Sequence, residues 1–198
     1  DNFYQRLAFD EIFSTFLVNS EIRKKIKKIK KKAKIFSSEK QKKIIKKLEF
    51  SLTNDQKKTL DEINNDLIST NKMFRLLQGD VGSGKTIVSL IAAYNTVNSG
   101  FQVALMAPTE ILARQHFNFA KNLFSKDINI ELISGKSDNK TKKNILDKLS
   151  NNKIDIIFGT HAIFQKKVNF NNLGLIIIDE QHKFGVNQRK RLSDKGGD

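Results

Sequence analysis

The feature that most constrains the fold is one loop: Gly79-Asp80-Val81-Gly82-Ser83-Gly84-Lys85-Thr86 fits the pattern G-x-x-x-x-G-K-[ST]. The pattern has structural meaning only between a strand and a helix. Both are in place here: Phe74–Gln78 reads as a strand, and a helical pattern opens near Lys85. Glycines at 79, 82 and 84 let the backbone curl so that its N–H groups point inward at phosphate oxygens. The helix N-terminus adds the positive end of its dipole. The whole run from Gly79 to Thr86 is therefore a candidate nucleoside triphosphate cradle. Lys85 is expected to reach the β- and γ-phosphates, and the Thr86 hydroxyl to hold Mg²⁺.

A second motif lies downstream. Leu175-Ile176-Ile177-Ile178 runs into Asp179-Glu180-Gln181-His182. An unpaired carboxylate at the end of a buried strand is costly, and Mg²⁺ would neutralise Asp179 directly or through a water. Glu180 is then placed to orient and deprotonate the attacking water. An acidic pair at a strand end also reads as a helix cap or a surface turn, and the glycine loop upstream favours the catalytic reading. His182 has two readings: a coupling residue between the γ-phosphate and a DNA-binding face, or an ordinary polar side chain. The two motifs together point to an ATP-driven motor domain. A metabolic kinase shares the glycine loop but does not call for the acidic motif.

From Phe50 onward, short β-branched runs alternate with helical patterns. Strands are expected at Phe74–Gln78, Gln102–Ala107, Ile128–Ile133, Ile154–Gly159 and Leu175–Asp179. Helices are expected at Asp55–Ser69, Lys85–Ser99, Glu110–Phe124 and Asn139–Leu149, with Gly100 placed to end the second of these. This alternation predicts an α/β fold, a parallel sheet covered by helices on both faces. Phosphate sites in such folds lie at the carboxyl ends of strands, where both motifs fall.

Three further loops follow strands on that edge. Thr109, in the segment Ala107–His116, is a plausible helix N-cap whose helix N-terminus suits a DNA phosphate. Gly159-Thr160-His161 and Ser134-Gly135-Lys136 have the same placement. Each alone reads more readily as a cap or turn, whereas three on one sheet edge fit a track along a nucleic-acid backbone better. Near the start of this region, Thr53 and Gln56 form a T-x-x-Q capping box. Gln56 also has an amide able to read an adenine edge, and both roles stay open.

Charge supports a polyanionic partner. The 198 residues carry a net charge of +15. Residues 21–47 hold 14 Lys/Arg against Glu21 and Glu39, a net of +12. A general abundance of lysine is the plainer explanation of that run. Residues 1–20 read as a helix. Ile22, Ile26, Ile29, Ala33 and Phe36 continue as the stripe of an amphipathic basic helix, which Ser37-Ser38 interrupts and Gln41–Leu48 resumes. The stripe is expected to pack on the rest of the protein, with its lysines toward solvent or DNA. There is no cysteine, so disulfides and thiolate metal sites are excluded. No apolar run approaches the ~20 residues of a membrane span, no secretory signal is visible, and the default compartment is the cytoplasm.

Taken together, Arg75-Leu76-Leu77-Gln78 before the glycine loop, then MAPTEILARQH, GTHAIFQ and DEQHKFGVNQR, closely resemble the RecG family of ATP-dependent DNA helicases, in helicase superfamily 2. The resemblance covers residues 50–198, as a first RecA-like P-loop NTPase domain. Residues 1–49 look like the helical linker from that family's wedge domain. The resemblance implies a duplex DNA translocase working on branched DNA, Holliday junctions and stalled forks, in recombination and repair. It implies ATP and Mg²⁺ as cofactors, Lys85 and Thr86 on the triphosphate and metal, and Asp179 and Glu180 in hydrolysis. It matches Gln56 to an adenine-reading glutamine. It matches Thr109, Gln115, His116, Thr160 and His161 to DNA-facing motifs, beside the loop at Gly135 and Lys136. A monomer is the default.

Departures from the family pattern qualify this. The chain stops at Asp198, before an expected Thr-Ala-Thr-type motif and a second motor domain that normally supplies an arginine finger. Loss of such a finger costs ~10³–10⁵ in turnover, so the expectation is a lobe that binds ATP–Mg²⁺ but hydrolyses it poorly alone. Lys183 stands where the family usually has Arg, keeping charge but losing bidentate geometry. Transcription-repair coupling translocases share much of the pattern but match less well at Gln181 and at Gln188-Arg189. A non-catalytic polyanion-binding module built on residues 21–47 is the remaining alternative.

Overall fold

The computed structural model describes residues 30–124, 128–135, 137–165 and 168–180. The helix expected over residues 1–20, most of the basic helix, Lys136, Gln181 and His182 lie outside the described residues. The elements are α1 (Ser38–Lys46), α2 (Asn54–Ile68), α3 (Lys85–Asn98), β1 (Gln102–Met106), α4 (Glu110–Phe124), β2 (Ile130–Ile133), α5 (Asn139–Ser150), β3 (Ile156–Gly159), a 3₁₀ turn (His161–Phe164) and β4 (Leu173–Ile178).

The four strands form one parallel sheet in the order β2-β3-β1-β4. Alternate residues of the buried central strands point to opposite faces. Val103, Leu105, Ile156 and Phe158 face a core shared with α1 to α4. Ala104, Met106 and Ile157 face a second core with Ile145 and Leu149 of α5. Helices thus cover both faces, as the unbroken apolar strands require. Helix α3 is apolar on nearly every side. It lies between one sheet face and the outer helices α1 and α2, the position that such a pattern demands.

Parallel registry aligns the strand ends. Met106 sits beside both Gly159 and Ile178, and Gly159 beside Ile133. The loops after all four strands therefore leave the sheet on one edge. Gly159 is needed there, because a Cβ would come 2.7 Å from the Ile133 carbonyl oxygen. Gly100, at φ 84°, ends α3 and donates to Val97 O.

Two expectations fail among the described residues. Phe74–Gln78 is not a strand, and among the described residues nothing in that segment pairs with the sheet. A strand exists only with a neighbour, and β4 pairs with β1 alone. Instead Arg75 is drawn to α2, bonding Glu62 at 2.7 Å and Asp66 at 2.8 Å. Phe74 and Leu76 stay 47% and 52% exposed.

Residues 31–37 are extended rather than helical. Three of these residues' backbone or side-chain donors go to the C-terminal end of α2 and the residues just after it. Lys31 N donates to Thr70 O, and Lys34 N to Leu67 O. The Lys31 ammonium donates to Asp66 O at 3.1 Å and Leu67 O at 2.6 Å, satisfying carbonyls that every helix leaves open at this end. Lys34 is 2% exposed, with Nζ 4.7 Å from the centroid of the Phe101 ring. Burial, with the Lys31 charge beside it, pushes its pKa down to about 8. These two lysines hold the segment onto α2 instead of facing solvent, whereas Lys32, Lys40, Lys42, Lys43 and Lys46 are exposed. The helix resumes where Ser37 Oγ accepts from Lys40 N, and Ile44 of α1 enters the core.

Candidate nucleotide and nucleic-acid site

The glycine loop has the shape that its sequence predicts at its helical end. Gly84 begins α3 in the left-handed region, at φ 79°, with no side chain capping the helix. Gly82 is also left-handed, at φ 82°. The uncapped N-terminus leaves backbone N–H groups for an anion. Lys85 Nζ folds back over the loop and donates to the carbonyls of Gly79 and Asp80, each at 2.7 Å. Asp80, Val81 and Ser83 are exposed around it, and Thr86 is half-buried at the start of the helix.

Gln56 does two jobs with one amide. Its Oε1 accepts from Thr53 N at 2.9 Å, while Thr53 Oγ1 accepts from Gln56 N, completing the capping box of α2. Its Nε2 donates to Ser83 O at 2.9 Å. The residue considered for an adenine edge thus reaches the glycine loop from α2. A Cβ at Gly84 would meet this Nε2, the movable end of a side chain, so it is the left-handed backbone angle that calls for glycine there.

At the end of β4, Asp179 N donates to Met106 O at 2.8 Å, extending the pairing with β1. Glu180 then takes a left-handed backbone, φ 49°, a conformation costly for a residue with a Cβ and frequent at functional sites. The Asp179 carboxyl is held below the ordinary carboxylate range. A hydrogen bond from His116 is the largest cause, the Glu180 backbone and the Lys85 charge add to it, and burial opposes it. Helix α3, which the glycine loop opens, packs against β4, which runs into Asp179, so elements far apart in sequence are neighbours in the fold. Among the described residues no three His, Asp or Glu side chains gather as a metal cage. Mg²⁺ does not need one: it keeps several waters and binds through one or two protein oxygens plus phosphates. Thr86 and Asp179 suit such a site.

The sheet edge beside this site carries the other predicted residues. Thr109 Oγ1 accepts from Leu112 N at 3.3 Å, so Thr109 does cap the first turn of α4. Glu110 Oε1 accepts from Ser134 Oγ at 2.6 Å, tying the loop after β1 to the loop after β2. Gln115, Gly135 and His161 are exposed, and Thr160 is half-buried with no side-chain cap bond at its 3₁₀ turn. A shallow groove on α4 is lined by Glu110, Ile111, Arg114, Gln115 and Asn118.

His116 departs from its expected grouping. It turns inward to the end of β4, with Nε2 2.7 Å from Asp179 Oδ2 and a side chain only 13% exposed. A signal for this was present in the sequence. Ala113, His116, Phe117 and Ala120 repeat at three- and four-residue spacing, the inner face of an amphipathic helix.

Comparison with known proteins supports the same reading. The DEAD/DEAH box helicase family matches residues 53–195. The ATP-dependent DNA helicase RecG of Thermotoga maritima is 47% identical over 193 residues, covering 97% of this chain and 25% of that protein. RecG of Bacillus subtilis is 51% identical over 140 residues, 70% of this chain and 20% of that protein. Among solved structures, RecG bound to a three-way DNA junction superposes with a TM-score of 0.81 at 46% identity, over 91% of this chain and 25% of the other. The UvsW helicase of bacteriophage T4, at 18% identity and TM-score 0.58 over 84% of this chain and 57% of its own, shares the fold. The chain thus spans a quarter or less of the length of these RecG relatives, and it belongs to the DEAD/DEAH box helicase family.

Proposed function

We propose that this chain is the ATP-binding lobe of a RecG-type, ATP-dependent helicase that acts on branched DNA in recombination and repair. One observation carries the reading: helix α3, which the glycine loop opens without a side-chain cap, packs against β4, which runs into Asp179-Glu180. In this reading Lys85 exchanges the carbonyls of Gly79 and Asp80 for phosphate oxygens. The N–H groups at the start of α3 and around Gly82 take further phosphate oxygens. Thr86 and Asp179 hold Mg²⁺, which when bound neutralises phosphate charge. Glu180 accepts the proton of the attacking water. Gln56, already bonded to Ser83 O, senses whether the loop is filled and is available to an adenine edge.

DNA lies along the loops after β1, β2 and β3, against Thr109, Gln115, Gly135, Lys136, Thr160 and His161. Support comes from their common edge and from the RecG relative solved on a three-way junction. Among the described residues no helix is long and apolar enough to cross a membrane. The isolated lobe binds ATP–Mg²⁺ and turns it over slowly, because the relatives are about four times longer and a facing domain supplies transition-state charge. The test is turnover with and without forked DNA, for this chain and for the full-length protein. The reading expects slow turnover from the chain and DNA-stimulated turnover from the full-length protein, abolished by Glu180→Gln. Fast, DNA-stimulated turnover by this chain alone would remove the need for a facing domain. A full-length protein without DNA-stimulated turnover would overturn the functional reading.

A further inference from the structure

We propose that His116 is a positioning residue, which holds the Asp179 carboxylate at the nucleotide site and ties it to the DNA-facing helix α4. The inference rests on the functional reading above and adds a route from DNA to the nucleotide. Helix α4 starts at Thr109, where the DNA-facing edge begins, and carries the exposed Arg114 and Gln115. Two turns in, the same helix presents His116 to the other side, 2.7 Å from Asp179 Oδ2. One rigid element thus touches both the nucleic-acid edge and the metal-side carboxylate.

The packing makes this link stiff. Ala113 and Ala120, flanking His116 on the inner face, are fully buried. Such small side chains bring the helix close to the sheet. Asp179 is fixed from its other side by its backbone bond to Met106 O in β1. A shift of α4 on binding DNA therefore moves the His116 imidazole relative to a carboxylate anchored in the sheet. A carboxylate offers about four lone-pair directions, so a bond from His116 fixes its rotation while leaving directions open to a phosphate-bound cation. An ordinary buried histidine would need only packing and any partner. A positioning histidine needs a donor at the place of Nε2.

That difference is testable in the full-length protein with four variants. Gln places an amide nitrogen as many bonds from Cβ as the histidine Nε2. Asn falls one carbon short, Leu keeps bulk without a donor, and Ala removes both. Binding of Mn²⁺ in the presence of a non-hydrolysable ATP analogue is read by electron paramagnetic resonance. The ratio of DNA-stimulated to DNA-free turnover is read beside it, with kcat and KM for ATP separated.

Losing a hydrogen bond to a charged group predicts about tenfold weaker Mn²⁺ binding in H116A, H116L and H116N. The same three lose DNA stimulation through kcat more than through KM, and H116Q recovers most of both. Mn²⁺ binding and stimulation unchanged in every variant would overturn the proposal, as would H116L recovering as well as H116Q. If H116A or H116L fails to fold, H116Q against H116N decides, because both are polar and differ in reach. A wild-type protein that binds no Mn²⁺–nucleotide or shows no DNA stimulation refutes the functional reading itself, a different result from unaffected variants.

Discussion

Gln41 is where the basic N-terminal segment is wired into the motor fold, and Gln41→Leu tests whether that wiring carries stability. The half-buried Gln41 of α1 accepts, through Oε1, from Asn64 Nδ2 of α2 at 2.9 Å and from Asn95 Nδ2 of α3 at 2.6 Å. Asn95 Nδ2 also donates to Asn64 Oδ1 at 3.1 Å. Leucine removes the shared acceptor at nearly constant volume. Asn95 keeps one partner, and Asn64 Nδ2 is left without its acceptor in a buried position. A buried donor without an acceptor costs roughly 1–3 kcal/mol. The weakened second donor adds a part of that, and the extra apolar burial of leucine returns a part. The expected net loss is about 2 kcal/mol, or a Tm lower by roughly 4–8 °C in a domain of this size.

Urea and thermal unfolding of the wild type and of Gln41→Leu measure it. Replacing Asn64 and Asn95 by leucine in the same background should recover much of the loss, since removing all partners of a buried network costs less than removing one. A change below about 0.5 kcal/mol would refute the reasoning. It would mean that α1 is a loosely attached linker, and that the amide cluster is not what joins it to the rest.

Other predictions follow from single contacts. Gly84→Ala places a Cβ at φ 79° and against Gln56 Nε2; it should cost about 1–2 kcal/mol in stability and weaken ATP binding far more, as read by calorimetric titration. Lys34→Met should stabilise the protein at pH 7. With a folded-state pKa of about 8 against 10.5, the unfolded chain binds the extra proton between those values, so the Lys34 contribution rises with pH there. The folded state carries the full penalty below about pH 8. Allowing for partial solvent access, the Lys34→Met gain should be about 1–2 kcal/mol at pH 7 and shrink by pH 10; denaturant melts at both pH values check the sign. Glu180→Gln should leave ATP–Mg²⁺ binding within a few fold while reducing turnover by at least ~10²-fold, measured as single-turnover hydrolysis in the full-length protein.

The sheet was legible because β3, and β1 after Gln102, are short runs without polar side chains, the pattern of a doubly covered parallel strand. The helix starts were legible because Thr53, Thr109 and Asp138 cap their helices by local bonds. What escaped depends on neighbours that a local pattern does not contain. Phe74–Gln78 has strand-like composition, but a strand needs a pairing partner, and Arg75 finds its partners on α2 instead. The helical period around Ala33 and Phe36 is real. It is overridden because the carbonyls at the end of α2 accept from Lys31 and Lys34. The resemblance matches His116 with Gln115 to a DNA-facing motif, but consecutive residues on a helix point about 100° apart, and His116 meets Asp179 instead. The glycine loop and the acidic turn each announced their chemistry, but only the fold packs helix α3 against strand β4 and so lets both motifs serve one nucleotide in the proposed reading.

That convergence is the central claim, and Mg²⁺-dependent nucleotide binding tests it most directly. The measurement is the affinity of this chain for an ATP analogue, with and without Mg²⁺, in the wild type, Lys85→Ala, Asp179→Asn and the double variant. If both motifs serve one nucleotide, Lys85→Ala removes most of the affinity, Asp179→Asn removes the Mg²⁺ dependence, and the double variant is less than additive. Nucleotide binding indifferent to both substitutions, or two fully additive effects, would contradict a shared site.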